Sequence, residues 1–117
     1  MPRSTTEVIY DHLAKRYAGD TDADIEHNFA EDIVLLSSFG EFHGKDGVRR
    51  SAEKLFEELG PSEFIYDHTM VNGEFGFLEW SAHSDSRIIC DGADSFVVRD
   101  GLIIMQTVHY SLQDRPA

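Results

Sequence analysis

Asp94 and His109 are the residues of this 117-residue sequence whose types and spacing point most directly to acid/base chemistry. They fall in the stretch from Gly92 to Tyr110, which has the pattern of two strands joined at Asp100-Gly101. An Asp-Gly pair between apolar runs predicts a two-residue hairpin turn, because both central residues of a type I′ turn need positive φ. A carboxyl group and an imidazole on paired strands can both exchange protons with one bound molecule.

Counting outward from that turn predicts which side chains share a face of the hairpin. Asp94 lies opposite Thr107, and His109 becomes its diagonal neighbour at roughly 7 Å between backbones. A three-residue loop would instead put Gln106 opposite Asp94 and turn His109 to the other face. The pairing of Asp94 with His109 therefore depends on the two-residue turn.

The apolar surroundings of Asp94 decide what such a pair could do. Burial would raise the pKa of Asp94 unless a protonated His109 pairs with it. A neutral Asp94 could donate to a developing oxyanion, and an ionised one could orient the imidazole as a general base. The alternative is a structural pair that only satisfies a buried carboxylate.

Composition restricts the partners that we expect. With 22 acidic and 10 basic residues the net charge is -12, which repels nucleic acid and anionic membrane surfaces alike. The single cysteine excludes an intrachain disulfide, and the N-terminus lacks the apolar run of a signal peptide, so we expect a cytoplasmic protein. The length predicts one domain over residues 1–117.

The elements that position these residues are predicted from periodicity and caps. Helices are expected from Ser4 or Thr5 to Ala18, from Asp20 or Thr21 through Phe29, and from Gly44 to Gly60. Strands are expected at Ile33–Phe39, Phe64–Val71, Phe75–His83 and Ile88–Arg99, followed by the strand after the Asp100-Gly101 turn. This order predicts an α+β domain with helices on one face of a curved sheet.

Most other titratable side chains are predicted to lie at the surface. The acidic residues around the second helix fit no calcium loop and are expected to be solvated: Asp20, Asp22, Asp24, Glu26, Glu31 and Asp32. Four histidines stand mostly beside charged residues: His12, His27, His43 and His83. No histidine pair has metal-ligand spacing, so no metal site is predicted.

Five short motifs occur in an order and spacing that are specific for one fold. They are Gly19-Asp20, Phe29-Ala30-Glu31-Asp32-Ile33-Val34, His43-Gly44-Lys45-Asp46-Gly47-Val48-Arg49, Asp94-Ser95-Phe96 and Arg99-Asp100-Gly101-Leu102-Ile103. With these motifs nearly the whole chain resembles the nuclear transport factor 2-like superfamily, and within it the SnoaL-like polyketide cyclases and ketosteroid isomerases. The resemblance implies a cone-shaped domain in which three helices and a curved, antiparallel or mixed sheet enclose an apolar pocket.

The resemblance also implies cofactor-free chemistry on a small hydrophobic molecule, by proton transfer next to a carbonyl or by dehydration. Asp94 occupies the place of the isomerases' oxyanion-hole acid and of the cyclases' acid/base residue, and His109 and Met105 fall on pocket-lining positions. The isomerases' general base is replaced by Ser37, whose hydroxyl cannot take a proton from carbon at neutral pH. A steroid isomerase mechanism is therefore disfavoured.

Two functional hypotheses follow. The first is a cofactor-independent isomerase, cyclase or lyase with Asp94 and His109 as catalytic residues. Its ligand pocket would include Tyr17, Leu35, Ser37, Phe39, Phe56, Trp80, Phe96 and Met105. The second, motivated by Ser37, is a non-catalytic ligand-binding or assembly domain. An apolar outer face of the last hairpin, formed by Val97, Ile104, Val108 and Tyr110, predicts a homodimer joined sheet to sheet.

Overall fold

The computed structural model of the protein describes residues 2–116 as three helices and a seven-stranded sheet. The helices are α1 (Thr5–Tyr17), α2 (Thr21–Asn28) and α3 (Gly44–Leu59). The strands are β1 (Phe29–Ser37), β2 (Gly40–His43), β3 (Glu63–Asn72), β4 (Phe75–His83), β5 (Arg87–Arg99), β6 (Leu102–His109) and β7 (Gln113–Asp114). The predicted α+β class is confirmed. No helix among residues 2–116 is both long and apolar enough to cross a bilayer.

Local signals explain where the helices begin and end. Ser4 forms a capping box with Glu7: the Ser4 hydroxyl accepts from the Glu7 amide at 3.1 Å, and the Glu7 carboxylate accepts from the Ser4 amide at 3.0 Å. α3 ends at Gly60, which adopts a φ of 77° that other residues rarely tolerate. Both features lie where the sequence predicts them.

The sheet is mixed, with the strand order β2-β1-β6-β5-β4-β3 and β7 paired to β5. β3 to β6 form the predicted antiparallel meander, and β1 lies parallel to β6. β1 begins at Phe29, a residue predicted to end the second helix. The buried Phe29 and Ala30 enter the sheet directly, since Phe29 already pairs with Ile103 of β6.

The β5–β6 hairpin has the predicted turn but not the predicted register. Asp100 and Gly101 have φ values of 52° and 78°, and the residues flanking them pair directly. Val98 pairs with Ile103, but Val97 pairs with Met105, so Ile104 is an extra residue in a β-bulge. A shift of one residue turns every later side chain of β6 to the opposite face.

The bulge overturns the predicted lining of the hairpin. Asp94 pairs with Val108 and Phe96 pairs with Gln106, so Gln106 and Val108 face inward. Met105, Thr107 and His109 lie on the outer face. The prediction that Val108 and Tyr110 form part of an outer patch is therefore wrong, since both line the interior cavity.

The apolar core fills the space between the helices and the inner face of the sheet. Its largest fully buried side chains include Ile9 of α1, Ile25 of α2, Phe29 and Ile33 of β1, and Phe96 of β5. The core therefore packs against the same helices and strands that form the cavity wall.

Candidate active site

A cavity of about 860 Å³ opens between the helices and the inner face of the sheet, a volume within the range of small-molecule sites. Most of its wall is apolar and aromatic, including Leu35, Phe56, Phe64, Leu78, Trp80 and Val108. Two groups of polar side chains interrupt that wall. One group lies on the sheet around Asp94, and the other lies on α1 around His12.

Asp94 is 9 % exposed and receives a hydrogen bond on each carboxylate oxygen. The indole Nε1 of Trp80 donates to Oδ1 at 3.0 Å, and the amide Nε2 of Gln106 donates to Oδ2 at 3.1 Å. Burial raises the pKa of Asp94 to about 6, although these two donors and the nearby His12 and Arg16 act in the opposite direction. The carboxyl group therefore changes its protonation state around pH 6.

Gly92 allows Trp80 to reach Asp94. The two residues pair across β4 and β5, and a Cβ atom at position 92 would collide with the indole ring. Without that Cβ the indole lies across the strand and directs its N–H at the carboxylate two residues further along β5. The hydrogen bond to Asp94 thus depends on a glycine in the middle of a strand.

The helix side of the cavity holds a buried pair, His12 and Asp24, which the sequence pattern predicts at the surface. His12 is 4 % exposed, and its Nδ1 lies 2.8 Å from Oδ2 of Asp24, which is fully buried. Phe29 and Phe96 contact the imidazole edge-on, with ring centroids 5.6 and 5.4 Å away. The surface predictions for His12 and Asp24 are wrong.

Asp24 is surrounded by donors. Its Oδ2 also accepts from Nε of Arg16 at 2.6 Å, and its Oδ1 accepts from Nδ2 of Asn28 at 2.8 Å. Burial by itself raises the pKa of Asp24, but the hydrogen bond and charge of His12, together with Arg16 and Asn28, outweigh it and lower that pKa. Asp24 is ionised at neutral pH and accepts every hydrogen bond that it makes.

Helical spacing could have revealed this pair. His12 lies four residues after Val8 and three after Ile9, on the buried stripe of α1. Asp24 lies four residues before Asn28, and both are fully buried on α2. The charged neighbours of His12 in sequence favoured a surface position, whereas the helical period placed it inside.

Five of the predicted site residues line the cavity: Tyr17, Leu35, Phe56, Trp80 and Asp94. Phe96 is buried behind it, in contact with His12. Met105 and His109 are on the outer face because of the bulge. The His109 side chain is 59 % exposed, with Nε2 3.6 Å from Oδ2 of Asp91, so the structure does not bring His109 and Asp94 together.

Ser37 ends β1 and Phe39 lies in the turn to β2, and neither lines the cavity. The Ser37 hydroxyl accepts from the Phe39 amide at 3.1 Å and donates to the Gly40 carbonyl at 3.3 Å. Both hydrogen bonds lie within the turn to β2. Phe39 is 43 % exposed and packs on Tyr110, with ring centroids 5.0 Å apart. Phe39 therefore supports a wall residue without reaching the ligand space.

Two half-buried tyrosines, Tyr66 and Tyr110, also belong to the polar lining. The Tyr66 hydroxyl donates to the Leu13 carbonyl at 3.4 Å, and burial raises the pKa of Tyr66 to about 12. The Tyr110 hydroxyl donates to Oε1 of Glu58 at 3.4 Å, and burial also raises the pKa of Tyr110. Both phenols stay neutral at physiological pH, and Asp94 is the buried carboxyl group in the cavity wall.

The sequence model of the SnoaL-like domain matches residues 9–105 of the chain. Among curated proteins, none has a sequence that matches.

Solved structures share the fold. A protein of Mesorhizobium loti assigned as a SnoaL-like polyketide cyclase is 19% identical, with a TM-score of 0.71 over 92% of this chain and 100% of that one. A nuclear transport factor 2-like protein of unknown function from Burkholderia xenovorans is 16% identical, with a TM-score of 0.76 over 97% and 87%. TerC, co-crystallised with polyporic acid, is 13% identical, with a TM-score of 0.75 over 92% and 91%.

Proposed function

This chain belongs to the SnoaL-like domain family, and from that premise we propose that it is a cofactor-free acid/base enzyme. It binds a small hydrophobic molecule in the cavity and moves a proton with Asp94. The reaction class is an isomerisation, a cyclisation or a dehydration. The observation that carries the proposal is a buried carboxyl group, with a pKa raised by burial to about 6, in the wall of an apolar cavity of about 860 Å³.

The environment of Asp94 suits proton transfer. A group whose pKa lies near the working pH is present in both forms, and so can take a proton in one step and return it in the next. Trp80 and Gln106 each occupy one carboxylate oxygen, which fixes the orientation of the group. Each oxygen keeps a further lone pair for a ligand. The apolar side chains around Asp94 lower the local dielectric, which strengthens electrostatic interactions at its carboxyl group.

TerC supports a small-molecule ligand for this fold, because that protein was crystallised with polyporic acid. The aromatic wall of the present cavity, with Phe56, Phe64 and Trp80, favours a flat apolar molecule.

A nitrobenzisoxazole tests the proposal without knowledge of the natural substrate. This apolar probe loses a proton from carbon to a base while its N–O bond breaks, and it releases a coloured cyanonitrophenolate. We expect the protein to accelerate this elimination beyond free acetate, and Asp94→Asn to reduce kcat/KM roughly 100-fold. His109→Ala is the matched control, because its imidazole lies outside the cavity, and it should keep the wild-type rate. A folded Asp94→Asn protein with wild-type activity would contradict the proposal.

The same experiment distinguishes the second candidate, a non-catalytic ligand-binding domain. The observation that favours it is Ser37, a residue at the end of β1 that cannot act as a general base. Its hydroxyl forms hydrogen bonds within the turn to β2. Wild-type protein that binds the probe, as measured by quenching of its single tryptophan, Trp80, but does not convert it would favour this candidate.

We also propose a homodimer through the outer face of the sheet. Neighbouring strands bring apolar side chains together there: Phe75 pairs with Val97, Val97 with Met105, and Met105 with Val34. Large apolar residues stay exposed on the strands of this face, namely Leu36, Ile65, Met70, Phe75 and Phe77. A patch of this kind usually marks an interface.

Sedimentation at micromolar concentration tests the dimer. We expect a dimer for the wild type and a monomer for Phe75→Asp, which places a charge within the apolar patch. A wild-type monomer would remove this part of the proposal. The proposed compartment is the cytoplasm, consistent with the exposed free thiol of Cys90.

A further inference from the structure

We infer that His12 is a second catalytic residue, which exchanges a proton with the ligand through Nε2, and that Asp24 is its positioning residue. This inference rests on the proposed function, because it supplies the partner that Asp94 needs. Proton transfer next to a carbonyl requires one group that removes a proton and another that balances the charge appearing on oxygen.

The hydrogen bonds of Asp24 determine which ring nitrogen of His12 is free. Asp24 is ionised and can only accept, so Nδ1 of His12 must carry the hydrogen of the 2.8 Å bond. The ring nitrogen left for a ligand is therefore Nε2. Asp24 acts through the ring, because Arg16 and Asn28 occupy its remaining acceptor positions.

The pair is held rigidly enough to act as a catalytic group. Phe29 and Phe96 contact the ring edge-on and restrict its rotation. Asn28 is fixed in turn by Nη1 of Arg3, which donates to its Oδ1 at 2.8 Å. Arg16 lies 2.6 Å from Asp24 and balances its charge whether the imidazole is neutral or protonated. The ring can therefore change its charge without leaving a buried carboxylate unpaired.

A complete proton transfer can be written with these two groups alone. In a carbonyl compound with a C=C bond one carbon further along, the Asp94 carboxylate removes a proton from the carbon between the two groups, and the electron pair left behind moves onto the carbonyl oxygen. That oxygen takes the Nε2 proton of the protonated His12, which leaves a dienol, a neutral imidazole and a protonated Asp94. Asp94 then returns its proton to the far carbon of the dienol, the remaining C=C bond comes to lie next to the carbonyl, and the hydroxyl proton goes back to Nε2. The product is an isomer, and both groups recover their starting states.

Kinetics with the nitrobenzisoxazole probe test the role of His12. We expect His12→Gln to lower kcat roughly 100-fold with little change in KM, because the side chain acts on the leaving oxygen in the transition state. Asp24→Asn, assayed where urea denaturation shows it folded, should lower kcat by roughly 10-fold, since the ring loses its fixed tautomer. His109→Gln is the matched control and should match the wild type. A folded His12→Gln protein with wild-type kcat would overturn the inference.

Nitrogen NMR of the wild type, labelled at histidine, tests the geometry without any variant. When the ring is neutral, the His12 signals should show a protonated Nδ1 and an unprotonated Nε2. Addition of naphthol as an apolar ligand should shift Nε2 and leave Nδ1 bound to Asp24. A neutral ring protonated at Nε2, or an Nε2 signal that ignores bound naphthol, would overturn the inference.

The two proposals fail in different ways. If the wild type does not convert the probe, the proposed enzyme activity fails, and the NMR result alone decides whether His12 contacts a ligand. If the wild type converts the probe and Asp94→Asn is inactive while His12→Gln is not, the enzyme proposal stands and the role of His12 is refuted.

Discussion

Asp24 and Asp94 are both removed from water, one fully and the other to 9 % exposure, yet their pKa values move in opposite directions. Asp24 lies beside Arg16 and His12, whose hydrogen bonds and charge outweigh the cost of burial. Asp94 receives its two hydrogen bonds from neutral donors, Trp80 and Gln106, and the cost of burial prevails. Burial alone therefore does not decide the protonation state of a carboxylate, because the charge of its donors does.

The difference separates a positioning role from a reactive one. A carboxylate held ionised by cations keeps its charge through a reaction cycle and can orient a neighbour. A carboxyl group with a pKa near 6 changes state easily and can exchange a proton. Asp94 in the cavity wall and Asp24, buried on α2 behind His12, are thus specialised by their neighbours.

The largest expected effect is on the stability contributed by Asp24. Asp24→Asn leaves Arg16 and His12 without their buried counter-charge, and we expect it to lower the free energy of unfolding by about 3–5 kcal/mol. Urea denaturation near pH 7 measures the change. Asp22→Asn is the matched control on the same helix: its side chain is 83% exposed and 3.2 Å from Arg49, so its loss should cost less than about 1 kcal/mol. An equal loss of stability in both variants would mean that burial of Asp24 among its partners adds nothing to stability.

Asp94→Asn should raise the free energy of unfolding, whereas Asp24→Asn lowers it. The pKa of Asp94 is raised in the folded protein, so the unfolded chain ionises at a lower pH and the folded state loses stability as the pH rises towards 6. Removal of the charge should therefore stabilise the fold by about 2–3 kcal/mol near pH 8 and have little effect near pH 4. Urea denaturation of both proteins at the two pH values measures the difference. The same change in stability at both pH values would show that ionisation of Asp94 is not its cause.

The smallest expected effect tests the donors of Asp94. Trp80→Phe removes the indole N–H and leaves Oδ1 without its 3.0 Å hydrogen bond, so the pKa of Asp94 should rise by roughly one further unit. Carbon NMR of labelled aspartate carboxyls measures the midpoint. Asp24, which has no contact with the indole, provides the internal reference in the same spectrum. An unchanged midpoint for Asp94 would mean that burial acts without opposition from this donor.

Much of the fold was accessible from the sequence because its signals are local. The Ser4 and Glu7 box, the Asp100-Gly101 turn and Gly60 each act within a few residues, and the structure has all three where they were predicted. Asp94 lies in the cavity wall, on the face of β5 that alternation along the strand predicts.

The lining contributed by β6 was not accessible, because the bulge at Ile104 has no local signal. The run Leu102-Ile103-Ile104-Met105 is uniformly apolar and fits either register. Long-range pairing with β1 accompanies the bulged register: Phe29 pairs with Ile103 and Val34 with Met105, with a shift in register between them. His12 was missed for a different reason, since its helical stripe indicated burial and its charged neighbours in sequence did not.

The extra residue at Ile104 also bears on how proteins of this shape diversify. Without a bulge, the same sequence would present a thioether, a hydroxyl and an imidazole to the ligand in place of an amide, an isopropyl group and a phenol. The gain or loss of one residue in this strand can thus create or remove a bulge and so change which side chains of the strand face the ligand. The turn and the outline of the domain stay the same. Relatives that differ in length at this point can differ in chemistry far more than their overall similarity indicates.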